Sequence, residues 1–418
     1  MGKLNGNGHK IKNNTNSIFQ KIRYGSVINI KFDGTNIPKN VSNVGILSNR
    51  TEASILENIN ATNIEMNGGG RNEIGLLAGA VSSLMYENCS VEQHVEQITS
   101  AADFSKIKEN PSGIFNITSD INFTGYTGSG TAVITGQFSG KINGNGHTIS
   151  NLTNKSLFEE FRGTIENVNI SNFTNTSANT NFVTAFAQKT YRATLKNMKF
   201  NNITLSGFNN VAIVGAETSG ANSVYENISI KNANVTGTGV YVSTFIGRKY
   251  GGSVKNVYVQ GTLTINSTEN GGLIGAAQEN GTYENIITDV SINKTRNTYS
   301  NIANSEFNGS MIGNIYNTPS IKNSIAFGNM TGFTDSNGDK KVPFKFTGAV
   351  ENSVKAYLTK CYEVTEEIGS SRVSANTAGH LDTVSRTNLN KKFYQDLGFD
   401  EKIWNLDRLT TKGYPELK

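Results

Sequence analysis

The sequence predicts an all-β chain, a right-handed parallel β-helix (solenoid) with short capping helices, on three observations. An Asn set among alternating apolar residues recurs at Asn29, Asn58, Asn88, Asn167, Asn197, Asn227, Asn256, Asn285, Asn323 and Asn352, and most steps are 29 or 30 residues. The residues one and three positions after each Asn are apolar, and the residue between them is mostly polar. The composition is thin in both hydrophobic (36%) and charged (17%) residues and rich in Gly, with 43. That is too little apolar material for a compact globule of 418 residues. It suits stacked windings, each of which buries only a narrow inner column.

Short runs with period-two alternation between Gly, Asn and Ser turns are strands. Constant spacing with no helix between them requires successive windings to stack parallel and in register. The first inward column reads Ile30, Ile59, Cys89, Val168, Met198, Ile228, Val257 and Ile286; the second reads Phe32, Ala61, Val91, Ile170, Phe200, Ile230 and Val259. The column between them, Lys31, Asn60, Ser90, Asn169, Lys199, Ser229 and Tyr258, faces outward. Five prolines in the whole chain agree with long laddered backbone, since Pro has no N–H to donate.

The recurring Asn suits a corner, where it tolerates left-handed backbone angles. Its amide can also bond the amide of the next winding. Just before it, Glu166, Lys196, Glu226, Lys255, Glu284, Lys322 and Glu351 alternate in sign. Windings about 4.8 Å apart make such a column a register device, because slippage by one winding would set Glu on Glu. The alternation also reads the 38-residue step before Asn323 as one winding with an inserted loop. The first array lacks it, with Ile28, Glu57 and Glu87 in that column.

GKLNGNGHKI at 2–11 returns as GKINGNGHTI at 140–149, so the chain holds two modules with the same opening. We expect a first module at 1–98 with an incomplete opening edge, and a second at 99–374. The second begins with a helix from about Thr99–Asp103 to Asn110 that shields its open end. A C-terminal cap follows at 375–418, with a short helix over 388–397 stopped by Gly398 and with Trp404 packed on the last winding.

These features exclude several functional classes. The net charge is +5, but the lysines are scattered with no basic stripe, so nucleic acid is not expected as a partner. No apolar run is long enough to insert in a membrane, and the N-terminus has no signal-peptide pattern. Cys89 and Cys361 are too few for a disulfide framework or a Cys-rich zinc site, and Cys89 reads as a core residue. His9 and His147 hold equivalent turn positions and read as turn residues that bond backbone across windings. Asp335, Asn337 and Asp339 space oxygens as a calcium loop does, yet Lys340 and Phe346 stand where such a loop has Gly and Glu, so a polar turn is the simpler reading. No catalytic or cofactor-binding residue is predicted. A carbohydrate-active face stays open as an alternative, because such faces cluster carboxylates along a β-helix.

The strings GQFSGKINGNGHTISNL, KSLFEEFRGTIENVNI, GGLIGAAQENGTYENI and FYQDLGFDEKIWNLDRLTTKGYPELK resemble GLUG-repeat proteins. They are most similar to the N-terminal, non-catalytic region of the immunoglobulin-A-protease family of Gram-positive zinc metallopeptidases. The resemblance implies a β-helix on an extracellular, cell-surface or wall-associated protein, upstream of a protease domain. That domain alone would carry zinc. The family's HExxH is absent, since the four histidines are followed by Lys10, Val95, Thr148 and Leu381. The expected role is therefore a non-enzymatic scaffold or substrate-engaging segment, whose partners are a host protein such as immunoglobulin or other domains of the same chain. A repeat adhesin or stalk with no enzyme attached is the alternative.

Overall fold

The computed structural model describes residues 2–37, 44–66, 77–177, 179–295, 308–333, 346–350, 357–364 and 381–418. The chain divides into two compact units. One is Met1–Ile98, Ser105–Asn116 and Ser139–Ile142; the other is Thr99–Phe104, Ile117–Phe138 and Asn143–Lys418. The all-β, parallel-strand expectation holds: every named strand pair whose register is resolved is parallel.

In the first unit, Ser26–Asp33 lies beside Ser48–Met66, which lies beside Ala78–Glu87. The register sets Ile30 on Ile59 and Phe32 on Ala61, all buried, while Asn58 Nδ2 donates to Asn29 Oδ1 at 2.9 Å. Glu57 sits in register with Glu87, a like-charged step. Cys89 is only half-buried, packed against the edge of this core rather than enclosed in it as the sequence predicts.

The second unit carries two long parallel sheets. In the larger, Thr194–Gly207, Val224–Gly237, Gly252–Ile265, Gly281–Lys294 and Ser320–Phe327 stack in order. Glu166 pairs with Lys196, Lys196 with Glu226, Glu226 with Lys255, Lys255 with Glu284 and Glu284 with Lys322, so the 38-residue step is one winding. Asn167, Asn197, Asn227, Asn256, Asn285 and Asn323 all adopt φ between 51° and 57°. That region is strained for most side chains and tolerable for Asn. Their amides bond one another at 2.9–3.2 Å from Asn197 through Asn323.

The next winding corrects the sequence reading. Lys322 pairs with Thr359 and Ser324 with Cys361, so the corner that Asn352 was expected to fill is taken by Lys360 at φ 51°. Asn352 lies outside the described residues. Glu351, expected to continue the charge row, gives way to Thr359. Cys361 thereby falls in the first inward column and is buried, with its thiol pushed up to about 12 by burial.

The smaller sheet runs Ala132–Phe138, Ser156–Phe161, Ala187–Tyr191, Gly215–Ser219, Ile246–Lys249, Ile274–Ala277, Ile312–Ile315 and Thr347–Val350. Its first windings meet the core through Phe138, Phe158, Phe161 and Phe186, with ring centroids 5.0–5.5 Å apart. Such contacts add to burial by about 1 kcal/mol each.

The expected helix near residue 100 is present as a 3₁₀ turn, Ala101–Asp103, followed by α1, Phe104–Glu109. Asp103 accepts from the backbone N–H of Thr99 (2.8 Å) and Ser100 (3.0 Å), which closes a capping box. The C-terminal helix, α2, spans Lys391–Asp396, with Asn390 as its N-cap. Trp404 does not pack on the last winding alone, as expected. Its Nε1 donates to Asn256 Oδ1 at 3.3 Å, three corners before Lys360. The outward row explains this, because after Lys199 and Ser229 it turns to Tyr258, Ile287, Ile325 and Tyr362. The segment after Leu389 covers that apolar stretch.

Candidate binding face

The residues singled out in the sequence do not converge. Asn5 and Asn143 use their side-chain oxygens alike, accepting from Asn29 and Asn167 at 3.1 Å and from the N–H of Asn7 and Asn145. In both turns the glycine that follows packs on the next winding. A Cβ on Gly6 would meet Ile30 Cγ1 at 2.4 Å, and one on Gly144 would meet Val168 Cγ2 at 2.3 Å. His9 and His147 accept through their carbonyls from Lys31 and Asn169. The His147 ring also lies 3.3 Å from Asp120 Oδ1, a partner in the lead-in of the second unit. Backbone donation from Thr148, then the His147 ring, holds the Asp120 carboxyl below its ordinary value. This explains the motif as structure. Asp335, Asn337 and Asp339 lie outside the described residues. Among the described residues no group of three His, Cys, Asp or Glu could hold a metal ion.

A denser arrangement lies on the smaller sheet. One of its rows runs Gln137, Glu160, Lys189, Glu217, Arg248, Ala276 and Asn314, each in register with the next, and it is open to solvent from Gln137 to Arg248 and buried at Ala276 and Asn314. Four successive members, Glu160, Lys189, Glu217 and Arg248, alternate in sign, a second charge row that the Asn-centred reading missed. The signal was present at residues 160, 189, 217 and 248, but the strings around them lack the Asn that anchored the alignment.

Aromatic rings frame this row. The Arg248 guanidinium lies over Tyr241 (5.0 Å) and Tyr250 (5.2 Å) and also donates to Glu217. Tyr191 carries Arg162 at 4.9 Å and Arg192 at 5.0 Å. Tyr316 donates its hydroxyl to Glu269, which also accepts from Asn314 Nδ2 at 3.2 Å. Burial, then the Glu269 charge, raises the Tyr241 phenol, so it stays a neutral donor at ordinary pH. Despite partial burial, the Glu217 hydrogen bond and charge hold Arg248 above its ordinary value. Tyr and Arg combine rigid contact area with directional donors, the residue types that dominate protein-recognition surfaces.

Beneath this face the inner row runs Thr190, Thr218, Lys249 and Ala277. Lys249 is fully buried, with its ammonium 4.9 Å from the centre of the Tyr225 ring and bonded to Gly251 O. Burial depresses it to about 7, against a smaller upward pull from Glu279. Tyr225 is pushed up to about 12 by burial and donates to or accepts from Thr190 Oγ1 at 2.6 Å. Lys249 has no path to solvent, so we assign it to the core.

No helix among the described residues is long and apolar enough to cross a membrane. No curated protein matches the chain. A candidate immunoglobulin A1 protease from Bacteroides ovatus, known from its crystal structure, is similar at TM-score 0.39 and 16% identity, over 77% of this chain and 91% of that one. Residues 95–207 match the M26 IgA1-specific metallo-endopeptidase N-terminal region, which covers the second GNGH turn and the first windings of the second unit, in agreement with the resemblance read from the sequence.

Proposed function

We propose that the chain is a non-catalytic, right-handed parallel β-solenoid segment of a bacterial surface metallopeptidase of the immunoglobulin-A1-specific type, and that it engages the protein substrate. The observation that carries this reading is the Tyr–Arg face around Arg248, in a chain whose residues 95–207 match the N-terminal region of such enzymes. The right hand follows from the general preference of parallel crossovers. Modules at 1–98 and 99–374, with 375–418 as a closing segment, remain our layout. Zinc would belong to a protease domain elsewhere in the parent, since no HExxH occurs here. A cell-surface or secreted location follows from the same reading.

The test is surface plasmon resonance of residues 1–418 against immobilised immunoglobulin A. Saturable binding that falls about tenfold or more in Tyr250→Ala and Arg248→Ala, with circular dichroism unchanged, is the expected result. No saturable binding, or binding indifferent to both changes, would overturn substrate engagement.

A further inference from the structure

The amide row of the larger sheet passes through two environments in the second unit. Each Asn side chain has two N–H donors and two acceptor lone pairs, and the row uses one of each. Where the C-terminal segment covers the row, it takes up the spare capacity. Trp404 Nε1 donates to Asn256 Oδ1, and Asn285 Nδ2 donates to Gly398 O at 3.2 Å. Asn256 and Asn285 are buried there.

One to three windings before Asn256 that cover is gone. Asn167, Asn197 and Asn227 continue the same row, Asn197 exposed and the other two half-buried. Among the described residues their amides bond only along the row. Their remaining donors and lone pairs face an open trough of about 470 Å³. Lys199 and Lys402 line it, with Lys418, Ile403 and Leu417, and no acidic side chain does. Neither Lys199 nor Lys402 makes an ion pair among the described residues.

We propose that this trough binds an acidic oligosaccharide. Its carboxylates would sit between Lys199 and Lys402, its hydroxyls would bond the free amide valences of Asn167, Asn197 and Asn227, and its ring faces would rest on Ile403 and Leu417. The covered half of the row is the precedent: the same amides there accept an N–H and donate to a carbonyl, which are the two roles a sugar hydroxyl can reciprocate. Row members recur about 4.8 Å apart, close to the length of one pyranose unit in a linear chain. Unpaired lysines select an anionic sugar over a neutral one. This inference stands apart from the Tyr–Arg face, which is on the other sheet.

Isothermal titration of residues 1–418 tests it with three probes: tetragalacturonate, a sialylated trisaccharide and neutral cellotetraose. The first two distinguish a uronate chain from a terminal sialic acid. Expected is binding of at least one acidic probe about tenfold or more above cellotetraose, weakening with added salt. The double variant Lys199→Gln, Lys402→Gln should lose about tenfold or more of that affinity, with Lys12→Gln, at an exposed position of the first unit, unchanged. Binding of no probe, equal binding of cellotetraose, or full affinity in the double variant would each overturn the proposal.

Discussion

Lys196 Nζ lies 2.9 Å from Glu226 Oε2, one winding apart, and Lys255 Nζ lies 3.7 Å from Glu284 Oε2 in the following pair. Both pairs are part-exposed, so each stabilises the fold only modestly. Their larger effect is on register, since any shift by one winding sets like charges together.

Glu226→Lys would place three cations in successive windings, at 196, 226 and 255. We expect a destabilisation of about 0.5–1 kcal/mol at low salt and little in 1 M salt, with Glu226→Gln costing less. Thermal melts at the two salt concentrations check it.

Asn227 combines φ 56° with an amide bonded on both sides. Ala at this corner loses both bonds and takes on left-handed strain, for about 2 kcal/mol or more in total. Asn227→Gly relieves the strain alone and should fall between wild type and Asn227→Ala in urea denaturation.

Gly144→Ala drives a methyl against Val168 Cγ2 and Asn167 O, at 2.3 and 2.4 Å. Overpacking of that kind costs about 1–3 kcal/mol. Gly146, at φ 81° in the same turn, has nothing within 4 Å of a built Cβ. Its Ala variant should therefore suffer only from backbone conformation, and comparing the two melting temperatures separates crowding from strain.

Lys249 makes stability depend on pH. Its folded value of about 7 lies below the ordinary 10.5, because burial disfavours the charged form. Between those values the unfolded chain binds a proton that the folded chain does not, so stability rises with pH from about 7 upward. Below about 7 both states carry the proton and this contribution is constant. Buried phenols such as Tyr225, raised to about 12, oppose the trend above about 10, which leaves pH 7–9 as the window. Lys249→Met should flatten the slope there and raise stability at pH 7, measured by urea denaturation across that range.

The winding period, the inward columns and the larger sheet's charge row were legible because Asn marks the same corner each time. The reading failed where the marker changed. Lys360 replaces Asn at the corner after Asn323, and the nearby Asn352 drew the alignment away. A second corner row, Asn172, Asn202 and Asn232, lies five residues beyond the first with φ of 53–57°. It was present in the sequence as an Asn-x₄-Asn spacing. The C-terminal cover was also foreshadowed, since Ile287 and Ile325 continue the outward row beyond Tyr258, and an outward aliphatic needs something to lie on it. The Tyr–Arg face was not legible, because Arg162 meets Tyr191 and Glu217 meets Arg248 only through the stacking of adjacent windings, at a register that no recurring Asn marks there.

Disulfide trapping tests the stacked register most directly. Thr204, Asn234, Thr262 and Ser291 follow one another in register along the larger sheet. With Cys89 and Cys361 replaced by Ala, the pair Thr204→Cys and Asn234→Cys should cross-link readily on mild oxidation, seen as a linked peptide by mass spectrometry. The pair Thr204→Cys and Ser291→Cys, about 14 Å apart over three windings, should stay reduced. Cross-linking of the distant pair, with the adjacent one left free, would contradict the in-register parallel stack on which both binding faces rest.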